Sequence, residues 1–286
     1  MTNADCSSSD TKRQNLLEEA RWRLGPCPTA IGGVEIAVGN IALAGEEFLS
    51  RVGDGVSLYY RKGAGVTCEA PDETDPRELD LWLNGSVHAA IAAINGLFPI
   101  HASAVAHRGR VFAFTGPSGS GKSTLAAALV QRGLALFCDD TLILDPDSEH
   151  LCCLPGHKRL RLWPEGLELA GIEGRGEVAP SYPKHFASDA GAGTEDLLPL
   201  AAMVRLEDGN EAVIEPVLGA ERFALLADDH YTVMLHEWAS GMERAERFEF
   251  QAELARAIPA FRLVRPFDPT RFGDMVETVS RWIEEF

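Results

Sequence analysis

The chain has 286 residues, 45% of them hydrophobic and 24% charged, and a formal net charge of −17. Those proportions describe a globular protein of one large domain, or one ordinary domain with a small companion. So acidic a surface suits neither DNA nor RNA, and no run approaches the ~20 apolar residues that a membrane span requires.

The six cysteines, Cys6, Cys27, Cys68, Cys138, Cys152 and Cys153, show no CxxC and no paired-histidine spacing. Neither a zinc site nor a disulfide framework is expected from them, and a reducing cytoplasm is the expected setting.

In chain order, residues 1–20 ("MTNADCSSSDTKRQN" and the next five) lack the apolar core of a secretory signal and are expected to form a mobile polar tail. Short β-like runs punctuated by glycine predict a small β-rich unit over 21–76, ending in the acidic, linker-like "EAPDETDPRELD". A second unit is expected over 77–286. It opens with a helical pattern from Leu79 to Leu97 that includes "HAAIAAI".

"IHASAVAHRGRVFAFTG" reads as a hairpin turning at Arg108-Gly109, in which His107 pairs with Arg110. Continued along the strands, that register sets His101 opposite Gly116. A lone strand histidine is ordinarily structural, and this register is what makes His101 a candidate.

Farther on, "GIEGRGEVAP" and "HFASDAGAGTED" have no periodicity and are expected to be loops. The C-terminal third reads mainly as helices around one strand, "FRLVRPF". Asp268-Pro269 opens a last helix with Phe272, Met275, Val276, Val279, Trp282, Ile283 and Phe286 as its apolar stripe. "HEWAS" at 236–240 is not a metalloprotease motif, because Ser240 stands where a second histidine is needed. Asp228-Asp229-His230 is expected as a polar bend between helices, with a metal role left open.

The strongest signal is Gly116-Pro117-Ser118-Gly119-Ser120-Gly121-Lys122-Ser123, followed by Thr124, which fits GxxxxGK[ST] at every defined position. It follows an apolar strand, "RVFAF", and opens a helix, "KSTLAAALVQR", the context in which backbone N–H groups and a helix dipole receive phosphate. Lys122 is placed to reach the β- and γ-phosphates, and the Ser123 hydroxyl to ligate Mg²⁺.

The helix from Lys122 to Arg132 runs about 16 Å. Gly133 ends it, and the strand "LALFC" returns about the same distance. Asp139 and Asp140 thereby emerge at the edge of the sheet that carries the loop. Without the loop upstream, two aspartates here would read as an ordinary strand end.

His101, the loop Gly116–Ser123 and Asp139-Asp140 together resemble the catalytic domain of the HPr kinase/phosphorylase family. The spacings match it, 21 residues from His101 to Lys122 and 17 from Lys122 to Asp139. "HASAV" and "LPGHKRLRLW" are more similar to a branch of HPr-kinase-like proteins. Some of these phosphorylate serine in ribosomally made peptides, including the C-terminal serine of lasso-peptide precursors.

The resemblance covers residues 97–165 well and the C-terminal third loosely, and does not reach the N-terminal unit. The chain has no counterpart of the family's "RGIG"-type signature, which argues against HPr as substrate and against phosphorolysis.

The fold implied is α/β, a P-loop mixed sheet of the HPr kinase/phosphoenolpyruvate carboxykinase kind with helices, beside the β-rich N-terminal unit. The activity implied is a Mg²⁺-ATP-dependent serine kinase acting on a peptide or small protein, with homo-oligomers known among relatives. The cofactors implied are ATP and Mg²⁺.

By the same resemblance Asp139 accepts the serine proton, Asp140 with Ser123 holds Mg²⁺, and His101 contacts the γ-phosphate or shares the base role. Arg159 or Arg161 is a candidate grip on acceptor or phosphate, and Lys184 a candidate to close over ATP. A small-molecule kinase and a nucleotide-binding regulator without catalysis stay open as alternatives.

Overall fold

The computed structural model describes residues 6–53, 55–187, 193–226 and 231–286. Asp228, Asp229 and His230 therefore lie outside the described residues, as do residues 188–192 of the stretch expected as a second glycine-rich loop.

The N-terminal part runs α1 (Asp10–Glu19), β1 (Trp22–Leu24), β2 (Ala30–Ile31), β3 (Val34–Glu35), β4 (Ile41–Ala44), β5 (Glu47–Gly53), β6 (Val56–Arg61) and β7 (Gly65–Glu69). Five of these strands form a sheet in the order β1-β7-β6-β5-β4, and β2 and β3 pair separately. Along β6, Val56, Leu58 and Tyr60 are buried and alternate with residues more open to solvent, the period-2 pattern of a sheet with one covered face.

The polar tail expected over residues 1–20 needs correction: Asp10–Glu19 is helical and tied down. Cys6 and Cys152 form a disulfide across 146 residues, contrary to the expectation from cysteine spacing. Ser9 Oγ donates to Asp145 Oδ2 at 2.7 Å, and Lys12 Nζ reaches Asp145 at 2.6 Å and Asp147 at 2.7 Å.

The acidic stretch after β7 is not a free linker either. Asp75 caps the next helix by accepting from the Arg77 N–H, and Pro76 occupies its first turn.

The second part opens with α2 (Pro76–Trp82) and α3 (His88–Ile94), separated by a kinked turn at Gly85. Every residue of α3 from Ala89 to Ile94 is buried. An all-apolar helix needs cover on every side. Here it packs with Phe48, Leu58 and Tyr60 of the N-terminal sheet and with Ile143 and Leu154 of the second part, so the two parts share a core.

The chain then forms β8 (Phe98–His101), β9 (Ser103–His107), β10 (Arg110–Thr115), α4 (Lys122–Gln131), β11 (Ala135–Cys138), β12 (Thr141–Leu144), β13 (Cys152–Leu154), β14 (Arg161–Leu162), α5 (Pro164–Ala170), β15 (Gly174–Ala179) and β16 (Tyr182–Ala187). It ends with β17 (Leu198–Asp208), β18 (Val213–Pro216), α6 (Glu221–Leu226), α7 (Tyr231–Ser240), α8 (Arg244–Ala257), β19 (Ala260–Arg265) and α9 (Phe272–Glu285).

The main sheet has the order β11-β9-β10-β17-β13-β12-β8, with β19 beside β17 and β18 beside β19. It is mixed: β10, β17 and β19 are parallel, whereas β9 is antiparallel to both β10 and β11. The fold is thus a mixed α/β architecture.

Side-chain alternation sorts its two faces. Phe112 and Phe114 of β10 pack with Leu125, Leu129, Met275, Val279 and Ile283 of α4 and α9. Val111 and Ala113 face the other way, toward the core that includes Leu254 and Ala255 of α8. Asp268 accepts from the Thr270 N–H and caps a 3₁₀ turn, Pro269–Arg271, that leads into α9, whose own first residue is Phe272. Each fully buried aliphatic or aromatic side chain in these layers contributes about 1.5–3 kcal/mol.

Two other expectations are corrected. "GIEGRGEVAP" contains β15, which pairs with β16. The C-terminal third is mainly helical, in α6, α7, α8 and α9, but beside the expected strand β19 it also carries β17 and β18, and all three belong to the main sheet.

Candidate active site

Three strand ends and one helix start meet at the site. The 9–10 hairpin has the expected register, with His107 opposite Arg110 and Ser103 opposite Phe114. Arg108 and Gly109 both have positive φ (47° and 73°), as a two-residue primed turn requires.

That register does not extend to His101. The chain leaves β9 at Ala102, and His101 instead pairs with Thr141 of β12. Its carbonyl accepts from Thr115 Oγ1, at the end of β10, at 3.4 Å, and its side chain lines one cavity with the loop residues Ser118, Gly119 and Gly121. The crossover to β11 also takes the expected direction, with β9 lying between β10 and β11.

The loop 116–121 joins β10 to α4. Gly116 and Gly121 sit at φ +139° and +87°, where a side chain is strained. A Cβ on Gly116 would also lie 3.2 Å from both Leu206 O and Ser120 Oγ. Lys122, buried at the start of α4, turns back across the loop and donates to Gly116 O at 2.9 Å and Pro117 O at 3.1 Å.

The two aspartates, adjacent in sequence, have different surroundings. Asp139 is buried and fully engaged. Its Oδ1 accepts from Ser103 Oγ at 2.7 Å and from Ser123 Oγ at 2.8 Å, while Oδ2 accepts from the Arg161 N–H at 3.0 Å. Asp140 is more open and held at φ +73°, a conformation a non-glycine residue seldom adopts. Its carboxylate lies 2.8 Å from Arg161 and 3.7 Å from His101 Nδ1.

His101 is held below the ordinary histidine range, by burial first and by Lys122 second, against the opposing pull of Asp140. Its Nδ1 also lies 3.0 Å from Asp140 O. Arg161 is half-buried, which lowers its pKa, but Asp140 and Asp139 outweigh that desolvation and leave it raised.

His101, Lys122, Ser123, Thr124, Asp140 and Arg161 line one cavity of about 420 Å³, together with Lys184. Lys184 belongs to β16 and lies over the rings of Trp163 and Tyr182 at 5.7 and 5.3 Å. Arg159 is not in this group: it lies 5.5 Å over Phe186 and 4.0 Å from Asp80.

Asp140 and Arg161 also line a wider groove of about 830 Å³ that runs past Trp82 and Trp238 to Ile36 and Ile41 of the N-terminal part. His236 of "HEWAS" is buried between Phe98 and Phe250, and burial lowers its pKa to about 4. Among the described residues no group of three or more His, Cys, Asp or Glu is placed to hold a metal ion. Among them, too, no helix is long and apolar enough to cross a membrane.

Residues that sequence reasoning missed include Ser103, which shares Asp139 with Ser123, and Arg265, which is buried and donates to Ser120 O. Ser103 had a local signal, an inward-facing hydroxyl one strand away from the loop. Arg265 had none, since its approach depends on β19 pairing with β17.

No family model matches the chain, and no curated protein matches it. Among solved structures, the Hpr(Ser) kinase/phosphatase from Coxiella burnetii aligns over 65% of this chain and 98% of its own, at 14% identity and a TM-score of 0.34. A likeness so faint decides nothing about the site, which is read from its own residues.

Proposed function

We propose that the protein is a Mg²⁺-ATP-dependent serine kinase that phosphorylates a peptide or small protein. The observation that carries this is the Asp139 carboxylate bound to the hydroxyl of Ser123 at the head of α4, with Asp140, His101 and Arg161 just beyond it. A glycine loop followed by Lys-Ser binds a triphosphate through its N–H groups and lysine. Lys122 would exchange its present carbonyl partners for phosphate oxygens.

The resemblance implies Asp139 as the base and Asp140, with Ser123, as the metal residue. The hydrogen bonds favour the opposite order. Ser123 and Asp139 form a pair of hard oxygen donors, which fits Mg²⁺, a cation commonly held by one or two carboxylates plus phosphates. Mg²⁺ bound there would neutralise charge on the transferring phosphate.

Asp140 faces both the phosphate cavity and the groove, so it is our choice for proton acceptor. In the transfer the acceptor oxygen bonds the γ-phosphorus and the bond from that phosphorus to the β–γ bridging oxygen breaks. ADP leaves, and the hydroxyl proton passes to Asp140. Arg161 offsets the charge on the transferring group, and His101, whose neutral form is favoured by burial and by Lys122, orients Asp140 or the phosphate.

The acceptor class follows from the groove. An open channel of about 830 Å³ that leads from Asp140 to the 21–76 unit suits an extended peptide better than a small molecule. The N-terminal unit is thereby proposed as acceptor recognition. A peptide ending in serine is the acceptor that the sequence resemblance implies.

The test is mass spectrometry of serine-ending peptides, an HPr protein and serine-like small molecules, each incubated with the protein and Mg²⁺-ATP, with Asp140→Asn as control. Phosphate on a peptide serine that disappears in the variant supports the proposal. Transfer only to a small molecule refutes the acceptor class, and ATP binding without transfer to any acceptor refutes the kinase activity.

A further inference from the structure

The phosphate cavity continues past Thr124 into a second cavity of about 280 Å³, just under the usual range for small-ligand pockets and so sized for part of a ligand. The two share Gly119, Gly121, Thr124 and Trp163, so they form one continuous surface. Their chemistry differs. His101, Lys122, Asp140 and Arg161 line the first, whereas the second is walled largely by Trp163, Leu169, Pro266, Phe267 and Phe272.

Trp163 is 45% exposed and Phe267 69% exposed, in a chain that buries most of its large apolar side chains. Both rings are held. The Arg265 guanidinium lies 5.1 Å over Phe267 while donating to Ser120 O of the loop, and Trp163 stands against Lys184 and Tyr182.

Direction along the loop then decides the occupant. With the transferring phosphate at His101 and Asp140, the nucleoside end of the same molecule must lie away from them. The apolar cavity is the continuation on that side.

We propose that Trp163 and Phe267 form the slot for the nucleotide's base, a purine stacking on one or both rings. This rests on the nucleotide reading above. The slot carries the difference in affinity between a nucleotide and a bare triphosphate, because phosphate contacts alone do not distinguish them.

The experiment is calorimetric titration of the full chain with Mg²⁺-ATP and, separately, with Mg²⁺ and inorganic tripolyphosphate. The titrations use wild type, Trp163→Ala, Phe267→Ala and Phe267→Tyr. Stacking on an aromatic ring is worth roughly 5- to 150-fold in affinity per base. Each alanine variant should therefore lose roughly that factor for ATP while keeping tripolyphosphate within about twofold, and Phe267→Tyr should restore ATP binding. Retained tripolyphosphate binding also shows that the variant is folded around the loop.

The slot is refuted if wild type binds ATP no better than tripolyphosphate, or if the alanine variants lose both ligands equally. If wild type binds neither, the nucleotide reading fails and the slot falls with it.

Discussion

Replacing each of the two aspartates by asparagine separates their roles. In Asp139→Asn the Arg161 N–H, which donates to Oδ2 at 3.0 Å, forces the amide oxygen to stay on that side. The new NH₂ must then face Ser103 and Ser123, which now donate to Oδ1 at 2.7 and 2.8 Å. Both hydroxyls can rotate to accept, so folding should survive at a cost of about 1–3 kcal/mol.

What cannot be recovered is the negative charge beside Ser123. Altering groups that hold or orient metal ligands costs roughly 10- to 100-fold in metal affinity. The gain in ATP affinity on adding Mg²⁺, measured by calorimetry with Mg²⁺ and then with EDTA, should shrink by at least that much. Asp140→Asn should leave this gain within a few-fold and slow single-turnover transfer by roughly 10²–10⁴. The reverse pattern, with the Mg²⁺ gain lost in Asp140→Asn and retained in Asp139→Asn, would overturn the proposed order.

Further outcomes follow from other parts of the fold. Unfolded without reductant, the chain should titrate only the four thiols of Cys27, Cys68, Cys138 and Cys153. Joint replacement of Cys6 and Cys152 by alanine should lower unfolding free energy in urea by about 2–5 kcal/mol, and six titratable thiols in wild type would remove the basis for both. His236, with a folded pKa of about 4 against about 6.5 unfolded, contributes stability that is full above pH 6.5 and lost as pH falls through 4. Between pH 7 and 4.5 wild type should therefore lose about 2.5 kcal/mol more than His236→Gln, and equal losses in urea melts would contradict this. Trp238→Ala, on the wall of the groove, should raise KM for a peptide acceptor about fivefold or more and leave KM for ATP unchanged. An unchanged peptide KM would move the acceptor elsewhere.

The parts of the fold that were legible in sequence are those whose determinants are close together in the chain. The loop 116–121 declares itself through glycines, Lys-Ser and a flanking strand and helix, all within a short stretch. The 9–10 hairpin is fixed by Arg108-Gly109, and the direction of β11 follows from the lengths of α4 and the strand. Asp268 and the stripe of α9 obey the same local rules. His101 reached its expected neighbourhood by a route the sequence did not indicate: it pairs with Thr141, 40 positions away, rather than continuing β9. A hairpin register constrains only as far as the strand runs, and nothing local marks the departure at Ala102.

The failures have physical causes of the opposite kind. Residues 200–204, "LAAMV" in β17, are covered on both faces and show no alternation, so a buried strand there looks the same as a buried helix turn. β15 carries Gly174 and Gly176 and an exposed first half, which erases the strand pattern. α1 offers a polar sequence with only Leu16 buried, too little apolar surface to predict a fixed place.

What holds the segment around α1 is Cys6 on Cys152, and Ser9 and Lys12 on Asp145, partners more than 130 residues away. Asp145 lies one residue past β12, the strand that pairs with His101, so these contacts tie the N-terminal segment to that strand. A segment expected from its composition to be a mobile polar tail is thus tied to the framework that carries His101. Loss of the Cys6–Cys152 link should accordingly be tested for activity as well as stability.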